Sequence, residues 1–187
     1  MIIQEKSYLK NKKIKFLKGT VIWFIIMISI FIVGYVLNGT RKNIFTVLAA
    51  ILVLPVAQYA TQLLTIWKFQ DPEKEISELF ESIQGNYNLF HSVLIPDKKE
   101  IINFDHIIVT GENIYCIINK HPDIAYIKKL FNTKIVAKGI PLKTMMYIEL
   151  DKVKNKQKLL TKIEVATRRE NEKNLKEYTQ LIAQMMM

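Results

Sequence analysis

Several things are scarce in this chain, and each shortage excludes something. Cys116 is the only cysteine, which rules out an intramolecular disulfide and a cysteine-rich zinc site and fits a reducing compartment. The only histidines are His91, His106 and His121. None stands at the i, i+4 or C-x-x-C spacing that gathers zinc ligands, so a structural role outweighs a metal site. No glycine-rich phosphate loop, serine-centred elbow or zincin motif occurs. Acidic residues are scarce at one end. Residues 1–68 hold nine Lys/Arg against Glu5 alone, whereas residues 69–187 hold eighteen Lys/Arg and sixteen Asp/Glu. Most of the net charge of +10 therefore belongs to the first third of the chain. The charge distribution does not support a nucleic-acid-binding face.

Charge itself is missing from two long stretches. Residues 19–37 (GTVIWFIIMISIFIVGYVL) and 43–67 (NIFTVLAAILVLPVAQYATQLLTIW) contain none. A helix rises 1.5 Å per residue, so about 20 residues cross a ~30 Å hydrocarbon core. Both runs are long enough, and neither has the polar face of a surface helix. They read as a transmembrane α-helical hairpin. The first run is longer than a signal-peptide core, lacks a small-x-small cleavage site straight after it and is followed by a second run, so an uncleaved anchor is expected. With no ionisable residue inside either run, ion or proton transport is disfavoured. Pro55 removes a backbone donor and should bend the second helix. Gln58 and Gln62, four apart, share one face, with Thr61 and Thr65 as a neighbouring stripe. Pro55, Gln58 and Gln62 are thus the expected packing positions, against the first helix or a second copy, and a homo-oligomer is a candidate state. Trp23, Tyr35 and Trp67 lie near the run ends, as interfacial aromatics do.

Lys6, Lys10, Lys12, Lys13, Lys15 and Lys18 precede the first run, whereas the connecting loop 38–42 carries only Arg41 and Lys42. Lysine-rich flanks stay inside, so residues 1–18 are expected to be a basic cytoplasmic N-terminus, with both ends of a cell-membrane protein on that side. The lipid bilayer is the expected surroundings. Anionic lipid is a candidate partner, at about 1 kcal/mol per basic residue near the surface. Asn38-Gly39-Thr40 fits a glycosylation pattern but is expected to be the turn between the helices.

Residues 71–187 read as a cytoplasmic α+β domain with a mixed or antiparallel sheet and a helical C-terminus. Asp71-Pro72-Glu73 predicts a helix start, with Asp71 as cap and Pro72 in the first turn. Ile76, Leu79, Phe80 and Ile83 then recur at helical spacing up to Gly85. Strands are expected at 89–95, 101–110 and 114–118, separated by Pro96-Asp97-Lys98-Lys99 and by Gly111-Glu112-Asn113. A helix capped by Asp123 covers 123–131. Further strands are expected at 134–137 and 143–150, and helix from about 151, where a polar stretch at 167–174 leaves one helix or two open. Cys116 alternates with apolar neighbours and is expected to be a core residue. The basic clusters Lys128-Lys129 and 152–158 read as a solvated face.

Residues 104–120 (FDHIIVTGENIYCIINK) resemble the core of the nuclease-related domain, NERD, a branch of the PD-(D/E)xK nuclease fold. The resemblance implies that Asp105 is the metal-binding aspartate, that His106 follows it as in many members, and that Lys120 is the lysine of E-x-K. It also offers Glu75 or Glu78 as a helical glutamate, and Mg²⁺ as the cofactor of an active copy. Ile118, however, stands where the second metal carboxylate belongs. Two carboxylates are needed to hold a hard cation beside a scissile phosphate. The resemblance therefore implies a degenerate copy serving as a membrane-tethered, non-catalytic binding or scaffolding module. The alternative is an anchored nuclease-like enzyme with a divergent metal site at Asp105 and Lys120. A second, lower-ranked resemblance is to two-span membrane proteins carrying a pleckstrin-homology-like domain. It rests on the segments at 107–117 and 140–150 followed by a helix, and the two helices expected at 71–85 and 123–131 fit it poorly.

Overall fold

A computed structural model describes residues 1–97, 100–119, 123–153, 155–168 and 171–186. The chain divides into two compact units, Leu9–Gln70 and a larger one made of Met1–Tyr8 with Asp71–Met187.

The smaller unit is a pair of apolar helices, α1 (Tyr8–Asn38) and α2 (Ile44–Trp67). Both are long and apolar enough to cross a membrane, and only 6% of each apolar window is buried. Neither is buried as the core helix of this chain. The helices run antiparallel at close approach. A Cβ on Gly19 would meet the Tyr59 ring at 2.5 Å, and one on Gly34 would meet Phe45 Cβ at 2.3 Å. The turn is built as its sequence suggests. Gly39 adopts φ +63° and its N–H donates to Tyr35 O at 2.9 Å. Asn43 caps α2 by accepting from Thr46 N–H at 3.0 Å while its amide donates to Gly34 O at 2.9 Å. At the far end Lys13 Nζ donates to Trp67 O at 2.9 Å and Phe69 O at 2.5 Å, satisfying carbonyls that the end of α2 leaves open. Pro55 lies half-buried inside α2. Gln58 and Gln62 are both exposed.

The larger unit is a five-stranded mixed sheet in the order β1-β2-β3-β4-β5, flanked by helices. In chain order it comprises β1 (Ile2–Gln4), α3 (Lys74–Glu81), β2 (Asn88–Pro96), β3 (Ile101–Val109), β4 (Ile114–Ile118), α4 (Ile124–Ala137), β5 (Met145–Glu149), α5 (Lys156–Thr167) and α6 (Glu172–Met185). β2, β3 and β4 form an antiparallel meander. Helix α4 carries the chain across to β5, which pairs parallel with β4, Ile114 opposite Met145 through Ile118 opposite Glu149. Such a crossover requires a helix-length connection. One face of the sheet packs on Ile127, Phe131 and Ile135 of α4 and on Leu175, Tyr178 and Ile182 of α6. The other packs on Ile76 and Phe80 of α3 and Ile163 and Ala166 of α5.

Four expectations change. Residues 1–18 are more than a basic flank, because Ile2–Gln4 form an edge strand parallel to β2 and Gln4 Nε2 donates to Ser92 O at 3.2 Å. Asp71 does not cap α3. The helix starts at Lys74 with Glu73 at the cap, while Asp71 accepts from Ser92 Oγ at 2.7 Å. The strand expected at 134–137 is the last turn of α4, because Ile135 reaches the core and Lys134 pairs with Asp97 at 2.9 Å. Past β5 the chain makes a short 3-10 turn at Leu150–Lys152 before α5 starts, and the C-terminus is two helices.

Gln4 is buried and its amide is the side-chain partner of the Ser92 carbonyl. Leaving a buried acceptor unmade costs about 1–3 kcal/mol. Gln4→Ala should lower the stability of the larger unit by that amount, read as a drop in the melting temperature of the full chain in detergent; an unchanged melt would show that β1 contributes nothing.

Candidate functional site around Asp105

The sheet breaks its own alternation at one place. Phe90 and Val93 of β2 face the same core, as do Phe104 and Ile107 of β3, although strict alternation puts residues an odd number apart on opposite faces. The ladder steps from His91–His106 to Val93–Phe104, passing over Ser92 and Asp105. Ser92 takes φ 54°, unusual for a non-glycine residue. It is held there by the Gln4 amide on its carbonyl and by Asp71 on its hydroxyl.

Asp105 sits where β3 and β4 part. Their pairing ends at His106–Ile117, and the next donor, Asn119 N–H, goes to Asp105 Oδ2 at 2.5 Å. The carboxylate thus replaces a ladder carbonyl. Burial pushes its pKa up to about 6, against the pull of the Asn119 and Asp105 backbone N–H groups, and the charges of Glu73 and Asp151 push the same way.

Among the described residues, the other expected site residues do not gather around it. Ile118 is 2% exposed and belongs to the core cluster with Ile127 and Phe131. Glu75 is exposed, and Glu78 pairs with Lys6 at 3.0 Å. Lys120 and His121 lie outside the described residues. Among the described residues no three His, Cys, Asp or Glu side chains converge as metal ligands. The Mg²⁺ that an active nuclease of this type needs is not matched by these residues. One oxygen of Asp105 is already hydrogen-bonded, and the position of its partner carboxylate is apolar core.

Beside Asp105 lies a feature that residue-by-residue reading missed. His91 and His106 are fully buried with their Nδ1 atoms 2.8 Å apart, and His106 packs edge-on against Phe80 with ring centroids 5.0 Å apart. His91 Nε2 is 3.3 Å from Glu81 Oε1. One tautomer set suits this geometry best. His106 Nδ1–H donates to His91 Nδ1, and His91 Nε2–H faces the Glu81 carboxylate at ion-pair distance without a well-formed hydrogen bond. His106 Nε2 is left as a bare lone pair, in keeping with its lack of any partner, and a bare lone pair is better tolerated than an orphaned N–H. Burial, reinforced by His91, holds the His106 pKa down to about 3; burial also lowers that of His91. The signal was in the sequence. A hairpin that pairs Pro96 with Ile101 places residues 91 and 106, each five positions further out, opposite each other.

These groups act on stability in opposite senses. Unfolded His106 binds a proton that the fold rejects between about pH 6.5 and 3, so stability falls as pH drops through that window. Folded Asp105 holds a proton that the unfolded chain releases between about pH 3.8 and 6, so its contribution grows as pH drops. Asp105→Asn removes only the second effect and should steepen the loss of stability between pH 6 and 4 by up to about one proton. Thermal melts of the full chain across that range test this, and an unchanged slope would mean that Asp105 has an ordinary pKa.

The helix–meander–helix–strand order from α3 to β5, with Asp105 where β3 and β4 separate, accords with the nuclease-like resemblance. The pleckstrin-homology-like alternative is not supported, since the two helices that fit it poorly are both present. Neither the curated proteins nor the solved structures compared with the chain contain a match. The family model for the nuclease-related domain (NERD) matches residues 70–182, more than half of the chain and nearly all of the larger unit. The chain belongs to the nuclease-related domain family.

Proposed function

We propose that this is a two-pass membrane protein whose nuclease-related domain keeps the fold of its family but not metal-dependent cleavage, and serves as a binding or scaffolding module on the cytoplasmic side. The observation that carries the first part is Ile118. A carboxylate there would have to be buried among Ile127 and Phe131, at the cost of desolvating a charge without a partner. Asp105 meanwhile has a structural task, terminating the β3–β4 ladder. The full chain in detergent, given Mg²⁺ with DNA or RNA, should cleave no faster than its Asp105→Ala variant. Cleavage that this substitution abolishes would overturn the reading and favour the divergent metal site instead.

Support for the anchor comes from the exposed apolar surface of α1 and α2 and from β1. That strand precedes α1 yet pairs with β2, which follows α2. A chain that leaves a compact unit and returns to it crosses a bilayer an even number of times. The lysine excess before α1 favours the cytoplasm for the shared side. Two of those lysines also have local work, Lys6 with Glu78 and Glu81 and Lys13 at the end of α2. Because Cys116 is buried, added surface cysteines can be read almost without background. A membrane-impermeant maleimide applied to intact cells should label Arg41→Cys and leave Lys173→Cys unlabelled until the cells are opened; labelling of both, or of Lys173→Cys alone, would refute this topology.

A further inference from the structure

Both long helices are apolar, yet α2 displays two primary amides on its outside. Gln58 lies about 4 Å and Gln62 about 10 Å past the midpoint of α2, both within the half-thickness of a ~30 Å hydrocarbon core. Each carries two N–H donors and a carbonyl. Hydrocarbon offers them nothing, and unmet polar groups there cost several kcal/mol.

The partner is not inside the helical pair. Gln58 and Gln62 are exposed, whereas Ala49, Leu63 and Ile66 are the buried residues of α2. The only side-chain hydroxyls in the apolar stretch 19–37 of α1 are those of Thr20, Ser29 and Tyr35. Thr20 Oγ1 is bonded to Phe16 O at 2.9 Å, and Ser29 and Tyr35 are exposed. Nor do the amides stand alone. Val47, Ile51, Leu54, Gln58, Thr61 and Thr65 follow one another at spacings of alternating four and three residues, the period of a helix–helix seam. All but half-buried Thr65 are exposed.

We infer that this face of α2 is a homodimer seam, occupied by the same face of a second copy. The chemistry selects the occupant. A primary amide is its own complement, donor to acceptor and acceptor to donor, so a two-fold axis beside Gln58 lets the two copies satisfy each other with no other ligand type. An acidic or basic partner helix would leave a charge in hydrocarbon without a counter-ion, because neither long helix has an Asp, Glu, Lys, Arg or His between positions 19 and 37 or 43 and 67. The inference rests on the membrane reading above and adds to it that the anchor also counts copies.

The test compares neighbours at one depth. Leu54 is on the seam; Val53, 49% exposed, points about 140° away from Gln58 around the helix. In membranes holding the full chain, oxidation should join Leu54→Cys into disulfide-linked dimers and leave Val53→Cys largely monomeric. Gln58→Leu combined with Gln62→Leu should weaken dimerisation by about tenfold in sedimentation of the detergent-solubilised chain, since each interhelical hydrogen bond contributes about 0.6 kcal/mol. Both leucines favour insertion, and unchanged maleimide labelling of Arg41→Cys in that background checks that the anchor is intact. Equal crosslinking at 53 and 54, dimerisation indifferent to the two leucines, or a different protein captured at position 54 would each overturn the seam. Loss of the expected Arg41→Cys labelling in the parent chain would instead overturn the membrane reading beneath it.

Discussion

The amide of Gln4, donating to the Ser92 carbonyl, closes a loop of chain that contains both long apolar helices. Ser92 hands the constraint on, because its hydroxyl reaches Asp71, the first residue of the larger unit after α2. The departure point and the return point of the apolar excursion are thus fastened to one residue held at a positive φ. Across the ladder from that residue is Asp105. The distortion that Ser92 introduces in β2 matches the one in β3, and together they turn His91 and His106 to the α3 side. The apolar pair is an insertion into the domain, between its edge strand and its first helix.

The same place that would hold the chemistry of a nuclease has been given structural duties here. Asp105 ends a strand ladder, Ile118 fills the core, and two of the three glutamates of α3 pair elsewhere: Glu78 with Lys6, and Glu81 with Lys6 and His91. Each of these groups is occupied by a neighbour within hydrogen-bond or packing distance. Ile118 fills its position by packing, and the parting of β3 and β4 is closed by the bond from Asn119 N–H to Asp105. Membership of a family fixes the fold and leaves the function to be argued from these contacts.

How much of this could be read from residues alone depended on range. The β3–β4 hairpin was legible because Gly111-Glu112-Asn113 supplies a local turn, closed by Thr110 and Asn113. The cap of α4 was legible because Asp123 acts three residues on, at Tyr126 N–H. β1 was not: three residues show no period, and their partner is 88 positions away. The branched residues Ile135 and Val136 suggested a strand by propensity, but the packing of Ile135 beside Phe131 kept the helix going. Asp71 has the right chemistry for a helix cap and was claimed instead by a distant hydroxyl, which sequence proximity cannot reveal. The position of Asp105 at the site followed from its neighbours in the hairpin, whereas its hydrogen bond to Asn119 depended on where the ladder stops.

The placement of β1 also sets an order of events in time. The strand is synthesised before the helices, and its partner β2 is made some 85 residues later, at translation rates of about 5–20 residues per second. During those seconds the edge strand has no sheet to join. The domain closes only after α1 and α2 have been made and β2 follows them. Sheet completion therefore waits on everything between β1 and β2, both apolar helices included.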